Sequence, residues 1–531
     1  MWLLIPTFVQ LTILPLLLIG IYSIWSFSIR RKPPLDSIPG PPSNSFVYGN
    51  TREIFSKNGW KYHQKMWDYG GISRFRGLVG KEILYVIDPL ALNHILLKDQ
   101  DIFEEPIALV ATLKQLVGRG LPVAIGAEHK RQRKMLNPAF SISHLKGIFP
   151  VLFPVVYQLR NGISSEIKQG NGHIDVMSWM TRVALESIGQ GGLGYSFESF
   201  ESDNYNNIYA NAIKQILPLS FRAYHVFKDL ILLLDKLGVT KFRHLLIDIL
   251  PFRLPKYIQR AIWGGATEAH LGRGKDIINI LLKETMGAKI SEDELVGHMN
   301  TFLLAATDTT SSALSRTLSL LAENLGIQSK LRDELTTAHK ERGDFDYDML
   351  QSLPYLDAVC RETLRVYPPV ASVSREALKD VVVPLQFPTT SADGSSELEK
   401  VLITKGTEIY ISILGANRSK RIWGQDADEW KPSRWLEDLP VSVSEARLPG
   451  VYSQMMTFAG GKRSCIGFKF LEMEMKLVLA VLIETFIFEP VVEISWDMGV
   501  VSVPRVKDSI DTTPHLPLKV TPVSSRNCTL R

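Results

Sequence analysis

Residues 458–467 read FAGGKRSCIG and place a cysteine, Cys465, among glycines and basic residues late in the chain. Its thiol could be an incidental small side chain, a structural metal ligand, a reactive nucleophile or the sole protein ligand of an iron cofactor. Each role makes a different demand on the rest of the sequence, so the other motifs have to decide between them.

The three cysteines, Cys360, Cys465 and Cys528, are far apart and include no C-x-x-C pair. They cannot form a disulfide framework or a four-thiolate zinc site, and they indicate a reducing compartment. In such a compartment the two N-x-S/T matches, at Asn417 and Asn527, are interpreted as chance rather than as glycosylation sites.

The composition is typical of a globular protein. Of the 531 residues, 45% are hydrophobic and 22% are charged, and the net charge is +5. A nucleic-acid-binding protein normally carries a concentrated basic stripe, so this small charge argues against nucleic acid as a partner. The length permits a large buried core.

The first 29 residues contain no charged side chain and are dominated by Leu, Ile, Phe and Trp. About 20 apolar residues suffice to cross a bilayer, and the basic residues at 30–32 favour a cytoplasmic location for the remainder of the chain. The sequence therefore predicts a transmembrane anchor at 1–29, with an unusually apolar signal sequence as the alternative. The basic, Pro-rich segment 30–45 is predicted to be a stiff hinge. Residues 46–531 then form one large domain.

That domain is predicted to be mainly α-helical with small β-sheets. Helical periodicity is frequent between residues 60 and 366, including 208–217 and 227–237. Strand-like apolar runs occur at four places: 83–86, 381–383, 401–403 and 409–413. The polar stretch TTSADGSSELEK at 389–400 predicts an exposed loop or hairpin insertion.

One helix is predicted to begin at Ser291, whose hydroxyl caps it while Glu294 reaches back, and to end near Gly326. Such a helix would be about 50 Å long. Its middle, TDTTSS at 307–312, is polar where a core helix would be apolar. This is either an ordinary polar face or a local opening that presents Asp308 and Thr309 to a buried ligand. A Thr in a helix can also bond back to the carbonyl four residues earlier, which for Thr309 is the carbonyl of Ala305.

A second helix is predicted over residues 353–369, with Pro354 in its first turn and two prolines ending it. Glu362 and Arg365 are three residues apart and share one face. Considered alone, they would be a surface pair that stabilises the helix by only about 0.2–0.5 kcal/mol.

These fragments, in this order, resemble the cytochrome P450 family of haem-thiolate monooxygenases, and their general character is similar to a fungal microsomal member. The cysteine motif F-x-x-G-x-R-x-C-x-G is complete, with all of its fixed residues present: Phe458, Gly461, Arg463, Cys465 and Gly467. E-x-x-R is met by Glu362 and Arg365. The family's P-E-R-F-like element reads PSRW at 432–435, and its A-G-x-D/E-T-T element reads AATDTT at 305–310.

The resemblance implies a cytochrome P450 fold and a haem b whose iron is bound by the Cys465 thiolate. A thiolate on iron needs a lowered pKa and donors around the sulfur. The glycines allow the loop to turn tightly with its N–H groups toward the sulfur, and Gly467 allows the next helix to approach the ring. Phe458 would shield the sulfur from water. The thiolate would donate electron density that favours O–O cleavage.

Haem propionates need cations, and the resemblance assigns four residues to them: His129, Arg133, Arg375 and Arg463. His129 stands where the family usually has Trp, which is also a ring N–H donor. The basic residues on the same segment, Lys130, Arg131 and Lys134, are either a solvated face or a docking surface for an acidic flavoprotein reductase.

The resemblance also implies a buried ion network of Glu362, Arg365 and Arg434 that fixes the loop beneath the haem. Asp308 and Thr309 would form a proton relay for oxygen activation. Ala306 stands where glycine is common, which narrows the groove by one methyl group.

The implied function is a monooxygenase that inserts one atom of O₂ into a lipophilic small molecule. Electrons would come from NADPH through a separate NADPH–cytochrome reductase, because the sequence has no flavin or nicotinamide fingerprint. The implied setting is secondary, terpenoid-like metabolism at the endoplasmic reticulum membrane, with the catalytic domain facing the cytoplasm. The alternatives are a haem-thiolate isomerase or dehydratase and a membrane-tethered haem sensor. The Asp308–Thr309 pair disfavours both.

The substrate pocket is expected from five largely apolar segments of the chain. By resemblance these are residues 103–123, 208–221, 302–306, 370–374 and 500–503. Their apolar character fits a terpenoid, fatty or aromatic compound.

Overall fold

A computed structural model describes residues 34–45, 47–77, 80–170, 172–198, 200, 276–278, 290–511 and 513–523. The anchor predicted at 1–29, the start of the hinge, the pocket segment 208–221 and the helix predicted at 227–237 lie outside these residues. Cys528 and Asn527 do as well.

Helices account for most of the described chain, as the periodicity predicts. The α-helices are α1 (Thr51–Ile54), α2 (Trp60–Trp67), α3 (Pro89–Asn93), α4 (Ile107–Val117), α5 (Gly126–Leu136), α6 (Ile142–Gln169), α7 (Val176–Ser187), α8 (Glu292–Glu323), α9 (Leu325–Arg342), α10 (Tyr347–Ser352), α11 (Pro354–Val366), α12 (Ile413–Asn417), α13 (Lys420–Trp423), α14 (Val441–Ala446) and α15 (Phe468–Thr485). Short 3₁₀ or π turns lie at Pro34–Ser37, His94–Lys98, Leu121–Val123, Asn137–Phe140, Ile188–Leu193, Pro432–Trp435 and Gly461–Arg463.

The strands are short and form small sheets. They are β1 (Ile72–Arg76), β2 (Glu82–Val86), β3 (Phe103–Glu104), β4 (His173–Asp175), β5 (Ser372–Ala377), β6 (Val381–Thr390), β7 (Glu397–Ile403), β8 (Glu408–Ser412), β9 (Phe486–Pro490), β10 (Ile494–Asp497), β11 (Val503–Val506) and β12 (Pro517–Pro522). One sheet has the order β1-β2-β8-β5-β3 and a second has the order β4-β12-β9. β6 pairs with β7, and β10 pairs with β11. All four predicted strand-like runs are strands, and the polar stretch at 389–400 includes the turn of the β6–β7 hairpin.

The long helix predicted from Ser291 is α8. Ser291 Oγ accepts a hydrogen bond from the N–H of Glu294 at 3.3 Å, as the cap requires. The prediction that Glu294 reaches back to the N–H of Ser291 is wrong. The Glu294 carboxylate instead binds Arg131 at 2.6 Å, because a charged guanidinium is a stronger partner than a backbone N–H. The helix ends at Glu323, and Gly326 lies in the first turn of α9 rather than stopping the run.

The main hydrophobic core of the described residues extends from Leu35 to Val520, with three smaller clusters beside it. Helix α6 is the one described helix that is long and apolar enough to span a membrane. It packs against α7 and α15, and its residues Leu152, Val155 and Val156 are fully buried, so it is a helix of this core. Helix α8 packs against α7, α11 and α15. The middle of α8 therefore lies deep inside the molecule.

Candidate functional site

The loop 458–467 is shaped by close backbone contacts. A side chain at Gly460 would collide with the carbonyl of Pro449, and one at Gly461, where φ is +72°, would collide with the carbonyl of Leu96. The N–H of Cys465 donates to the carbonyl of Phe458 at 2.9 Å and closes the loop. Both glycines are therefore required by the space available, as well as by the turn.

The side chain of Cys465 is exposed, although it lies deep in the molecule. This combination indicates a residue that lines an internal space. Burial raises the pKa of the Cys465 thiol above its ordinary value, while the N–H groups of Gly467 and Phe468 and the charge of Arg133 partly offset that rise. Desolvation therefore outweighs the donors at this thiol when no iron is bound.

Phe458 lies beneath the loop in a cluster of aromatic rings. It is 7% exposed and packs against Tyr452 and Phe468, with ring centroids 5.5 and 5.7 Å away. These rings exclude water from that side of the loop, in line with the role predicted for Phe458.

The pair predicted from E-x-x-R is fully buried, so its default interpretation as a surface pair is wrong. Arg365 donates twice to Glu362, through Nε to Oε2 at 2.8 Å and through Nη2 to Oε1 at 2.7 Å. Arg434 Nε donates to Glu362 Oε1 at 3.2 Å, and Trp435 Nε1 donates to Oε2 at 2.9 Å. The structure thus brings the three predicted network residues together and adds an indole that the motif does not contain.

This network reaches the cysteine loop through an asparagine. Arg365 Nη1 donates to the carbonyl of Asn417 at 2.9 Å. The Asn417 side chain accepts from the N–H of Met456 at 2.6 Å and donates to Thr457 Oγ1 at 2.8 Å. Because Thr457 directly precedes the loop 458–467, the buried charges fix the point at which the loop begins.

Asn417 and Thr457 are functional positions that sequence reasoning missed. The only signal at Asn417 was its N-x-S match, and the interpretation of that match as chance is confirmed, because the side chain is fully buried. Nothing in the sequence indicates that Asn417 faces Thr457, 40 residues later in the chain.

The four residues predicted to meet propionates lie around the same loop. Arg133 donates to the carbonyl of Ser464 at 2.6 Å, next to the cysteine. Arg463 and Arg375 are both buried. His129 is 4% exposed and makes no hydrogen bond to any described residue. Burial and the charges of Arg463 and Arg133 lower the pKa of His129 to about 4, so its imidazole is neutral.

Two acidic residues that the sequence analysis did not single out lie among these cations. Glu104 binds Arg463 at 2.8 Å, and Glu105 lies 3.5 Å from Arg463 and 3.8 Å from Arg375. Burial alone would raise the pKa of Glu104, but Arg463 and Lys462 lower it below its ordinary value. Within the described part of the chain Arg133 has no carboxylate partner, so the cluster still has cationic side chains to offer a ligand.

The middle of α8 differs from the rest of that helix. Residues 310–322 are buried, and so are most of residues 294–303. Ala305 is exposed, and Leu304, Ala306, Asp308 and Thr309 are partly exposed. We call residues 304–309 the open stretch. An open stretch within a buried helix indicates that it faces an internal space.

The helix is continuous through the open stretch, so the predicted local opening of its backbone is wrong. The predicted back-bond is present: Thr309 Oγ1 donates to the carbonyl of Ala305 at 2.6 Å. Asp308 is partly exposed beside it, and its carbonyl accepts from Ser311 Oγ at 3.1 Å. The small side chains Ala305 and Ala306 create the space without breaking the helix.

Phe140 links the open stretch to the cysteine loop. Its ring packs edge-on against Phe302 at 5.6 Å, and Phe302 is two turns before Thr309 on the same face of α8. A side chain at Gly467 would meet the Phe140 ring at an ordinary 3.8 Å. Phe140 therefore lies between α8, two turns before Thr309, and the end of the cysteine loop.

The outer face of α5 is basic but partly neutralised. Lys130, Arg131 and Lys134 are all exposed. Arg131 binds Glu128 at 2.7 Å and Glu294 at 2.6 Å, so its charge is already met within the molecule. Of the three residues predicted for docking, the two lysines are the ones whose charge remains available.

Comparisons with known proteins agree with this arrangement. Residues 39–499 match the model of the family described as Cytochrome P450. Cytochrome P450 monooxygenase 219 of Postia placenta is 43% identical over 510 residues, which cover 91% of this chain and 93% of that protein. Cytochrome P450 monooxygenase 91 of the same fungus is 40% identical over 513 residues, or 92% and 94% of the two chains. Ganoderic acid synthetase of Ganoderma lucidum is 40% identical over 520 residues, again 92% and 94%.

Proposed function

This chain belongs to the cytochrome P450 family of monooxygenases, and we propose that it inserts one atom of O₂ into a lipophilic small molecule of fungal secondary metabolism. Two observations carry the proposal: Cys465 is accessible although its loop lies deep in the molecule, and the otherwise buried helix α8 has an open stretch.

The family implies a haem whose iron takes a cysteine thiolate, and the residues around Cys465 fit it. The sulfur has two backbone N–H donors, from Gly467 and Phe468. A side chain added at Gly467 would meet only the edge of Phe140, at 3.8 Å, so the space beside this glycine is not filled by other parts of the chain. Since burial raises the pKa of the free thiol, the thiolate depends on the iron's own positive charge.

The propionates of that haem would meet the cationic cluster. Arg133 lacks a carboxylate partner among the described residues, and His129 has an unpaired imidazole that can donate a hydrogen bond while it remains neutral. Arg375 and Arg463 are buried and share Glu105, so propionate binding would add to contacts that already hold them. The substitution of His129 for the usual Trp keeps a ring donor at this position.

The haem supplies the binding and reductive activation of O₂ when it is bound. The chain's own contribution is to deliver protons and exclude bulk water. Thr309 Oγ1, held by the carbonyl of Ala305, lies on the open stretch and can pass a proton toward the internal space. Asp308 is partly exposed and precedes it, so we propose that its carboxylate replenishes the Thr309 hydroxyl from solvent.

Members of this family generally need a redox partner, and we propose NADPH–cytochrome reductase for this chain. The exposed Lys130 and Lys134 on α5 support the choice, because a flavoprotein with an acidic surface would be attracted to them. Arg131 contributes less, since Glu128 and Glu294 already hold it.

A terpenoid-like substrate is supported by the lining and by one relative. The described pocket segments, 103–123, 302–306, 370–374 and 500–503, are largely apolar, which suits a molecule with few polar groups. The name of the relative from Ganoderma lucidum refers to ganoderic acid. We propose a related class of compound for this chain.

We further propose that residues 1–29 anchor the protein in the endoplasmic reticulum membrane, with the large domain in the cytoplasm. The uncharged sequence and the basic residues directly after it support this topology. Deletion of residues 1–29 should release much of the protein from microsomes. Full retention of the truncated protein would point to a different attachment surface.

One experiment tests the function as a whole. The purified haem-loaded protein is mixed with a microsomal reductase and NADPH, and consumption of NADPH and O₂ is followed with candidate terpenoids. Substrate-dependent consumption of both, with a product heavier by one oxygen atom, is the expected result. Product formation without NADPH or O₂ would instead indicate an isomerase or dehydratase and overturn the proposal.

A further inference from the structure

Arg316 of α8 is a buried cation with unusual surroundings. It is 9% exposed, and it has neither a hydrogen bond nor a carboxylate partner among the described residues. Its guanidinium carbon lies 3.5 Å from the ring centre of Trp496 and 4.2 Å from that of Tyr367. Burial lowers its pKa to about 9. A buried charge without an ion pair is costly, and the two aromatic faces, together with the charge of Glu323, offset part of that cost.

The position of Arg316 relates it to the open stretch. It lies seven residues after Thr309, which is two helical turns and about 10 Å along the same face. Ser312 lies between them, and its Oγ donates to the carbonyl of Ser502 at 2.6 Å. Directly after the open stretch, this face of α8 therefore contacts residues of the β10–β11 hairpin.

That hairpin has little support of its own. Its two strands pair only with each other within the described chain, and an isolated two-stranded hairpin is marginally stable in water. Its position depends on anchors outside the pair. The carbonyl of Trp496 accepts from Trp60 Nε1 at 2.8 Å, and the N–H of Ser502 donates to the carbonyl of Pro369 at 2.9 Å. The turn at residues 498–502 lies between these anchors. The Ser312–Ser502 hydrogen bond joins it to α8 about one helical turn after Thr309.

We propose that Arg316 is a positioning residue for substrate specificity: by holding Trp496 it fixes the turn 498–502 as a wall of the space in front of the open stretch. The inference rests on the proposed function, because the wall selects a substrate only if one binds there. Arg316 itself touches the hairpin rather than the substrate. Its effect is on the shape of the space and not on proton delivery.

The variants are Arg316→Met and Trp496→Leu in the haem-loaded protein, with Arg160→Met as the matched control. Arg160 also lies over an aromatic ring, Tyr157 at 4.4 Å, but it is on α6, away from the site. Replacement of a buried unpaired charge by an apolar side chain of similar volume is compatible with folding. Arg316→Lys keeps a cation for the aromatic faces and should retain most of the wild-type behaviour.

The first measurement is amide hydrogen exchange at Met498 and Ser502, which requires no substrate. Loss of the cation–π contact should speed exchange there by about tenfold in Arg316→Met and Trp496→Leu, with no change in Arg160→Met. The double variant should exchange no faster than either single variant, because both remove one contact.

The second measurement is the affinity of two probes read from the haem absorption band, imidazole and a triphenylmethyl-imidazole. Arg316→Met should change the affinity of the bulky probe by about tenfold and leave that of imidazole unchanged. Unchanged exchange together with equal changes for both probes would overturn the role of Arg316. If neither probe binds the wild-type protein, the proposed function fails instead, so the two failures are distinguishable.

Discussion

The two sides of the proposed site, the cysteine loop and the open stretch of α8, are built in opposite ways. The cysteine face is tied by buried charges and by glycines with no room for a side chain, from Glu362 through Asn417 to the loop 458–467. The face on α8 is an open stretch with small side chains and short-range hydrogen bonds along the helix, such as that from Thr309 to Ala305. A haem has the same shape in every molecule of the protein, so its binding site can be rigid, with every buried polar atom hydrogen-bonded. In our proposal the open stretch faces the substrate, and a face with few obligatory contacts leaves room for that molecule.

The largest effect is expected when the sulfur of Cys465, the iron ligand of our proposal, is removed. Cys465→Ser should abolish the thiolate-type absorption of the reduced carbonyl complex, because that band depends on a bond from sulfur to iron and an oxygen ligand does not produce it. Absorption spectroscopy of the reduced protein under carbon monoxide measures this. Cys360→Ala is the control, since Cys360 is buried on α11 and is not part of the loop. Persistence of the band in Cys465→Ser would refute the ligand assignment.

The second test removes the charge at the centre of the buried network. Glu362→Gln should destabilise the protein by about 3–5 kcal/mol, because Arg365 and Arg434 lose their shared carboxylate in a dry environment. Denaturant midpoints and the amount of haem retained measure the effect. Glu493→Gln is the control: Glu493 is exposed and pairs with Lys507 at 2.6 Å, so its loss should cost less than about 1 kcal/mol. Equal losses in the two variants would contradict the contrast.

The third test addresses the open stretch. Thr309→Ala should keep the haem and the fold but lower product formation by about 10²-fold and release hydrogen peroxide instead, since the proton donor is lost. Thr317→Ala is a matched control, because Thr317 Oγ1 makes the same back-bond on α8, to Ala313 at 2.8 Å, where the helix is buried. The ratio of product to NADPH consumed measures the effect. An unchanged ratio in Thr309→Ala would rule out the relay.

The smallest effect is expected outside the proposed site, at His63, which lies beneath the sheet that carries Arg375. Burial lowers the pKa of His63 to about 4, although a hydrogen bond to Ile54 opposes the shift. Below about pH 6.5 His63 therefore becomes protonated in the unfolded chain but stays neutral in the folded chain. The free energy of unfolding falls as the pH drops from there toward 4. The loss should reach about 2 kcal/mol by pH 5. Unfolding midpoints between pH 7 and pH 5 measure it.

A variant at the same position provides the check on that titration. His63→Gln removes the titrating group while retaining an amide near the hydroxyl of Tyr85, 3.1 Å from the imidazole. Its stability should be lower at pH 7 but should fall less on acidification. A slope identical to that of the wild type would show that other groups cause the acid sensitivity.

Much of the site could be predicted because its motifs are local. The loop 458–467 contains its own turn and its own sulfur donors within ten residues, and Ser291 caps α8 as its sequence indicates. Predictions failed where a distant residue competes for the same group. Glu294 was expected to complete a capping box, but Arg131 takes its carboxylate, and this residue is 163 positions away in the chain.

The sequence by itself determined the family, the helical class, the cysteine that binds the iron in our proposal and the residues of the buried network. These depend on short spacings, since a helix or a tight loop relates residues only a few positions apart. Only the tertiary structure decided the protonation tendency of Cys465, the partners Glu104 and Glu105 of the arginines, and the contact of Arg316 with Trp496. Desolvation and long-range contacts depend on which surfaces the core brings together, and no local pattern carries that information.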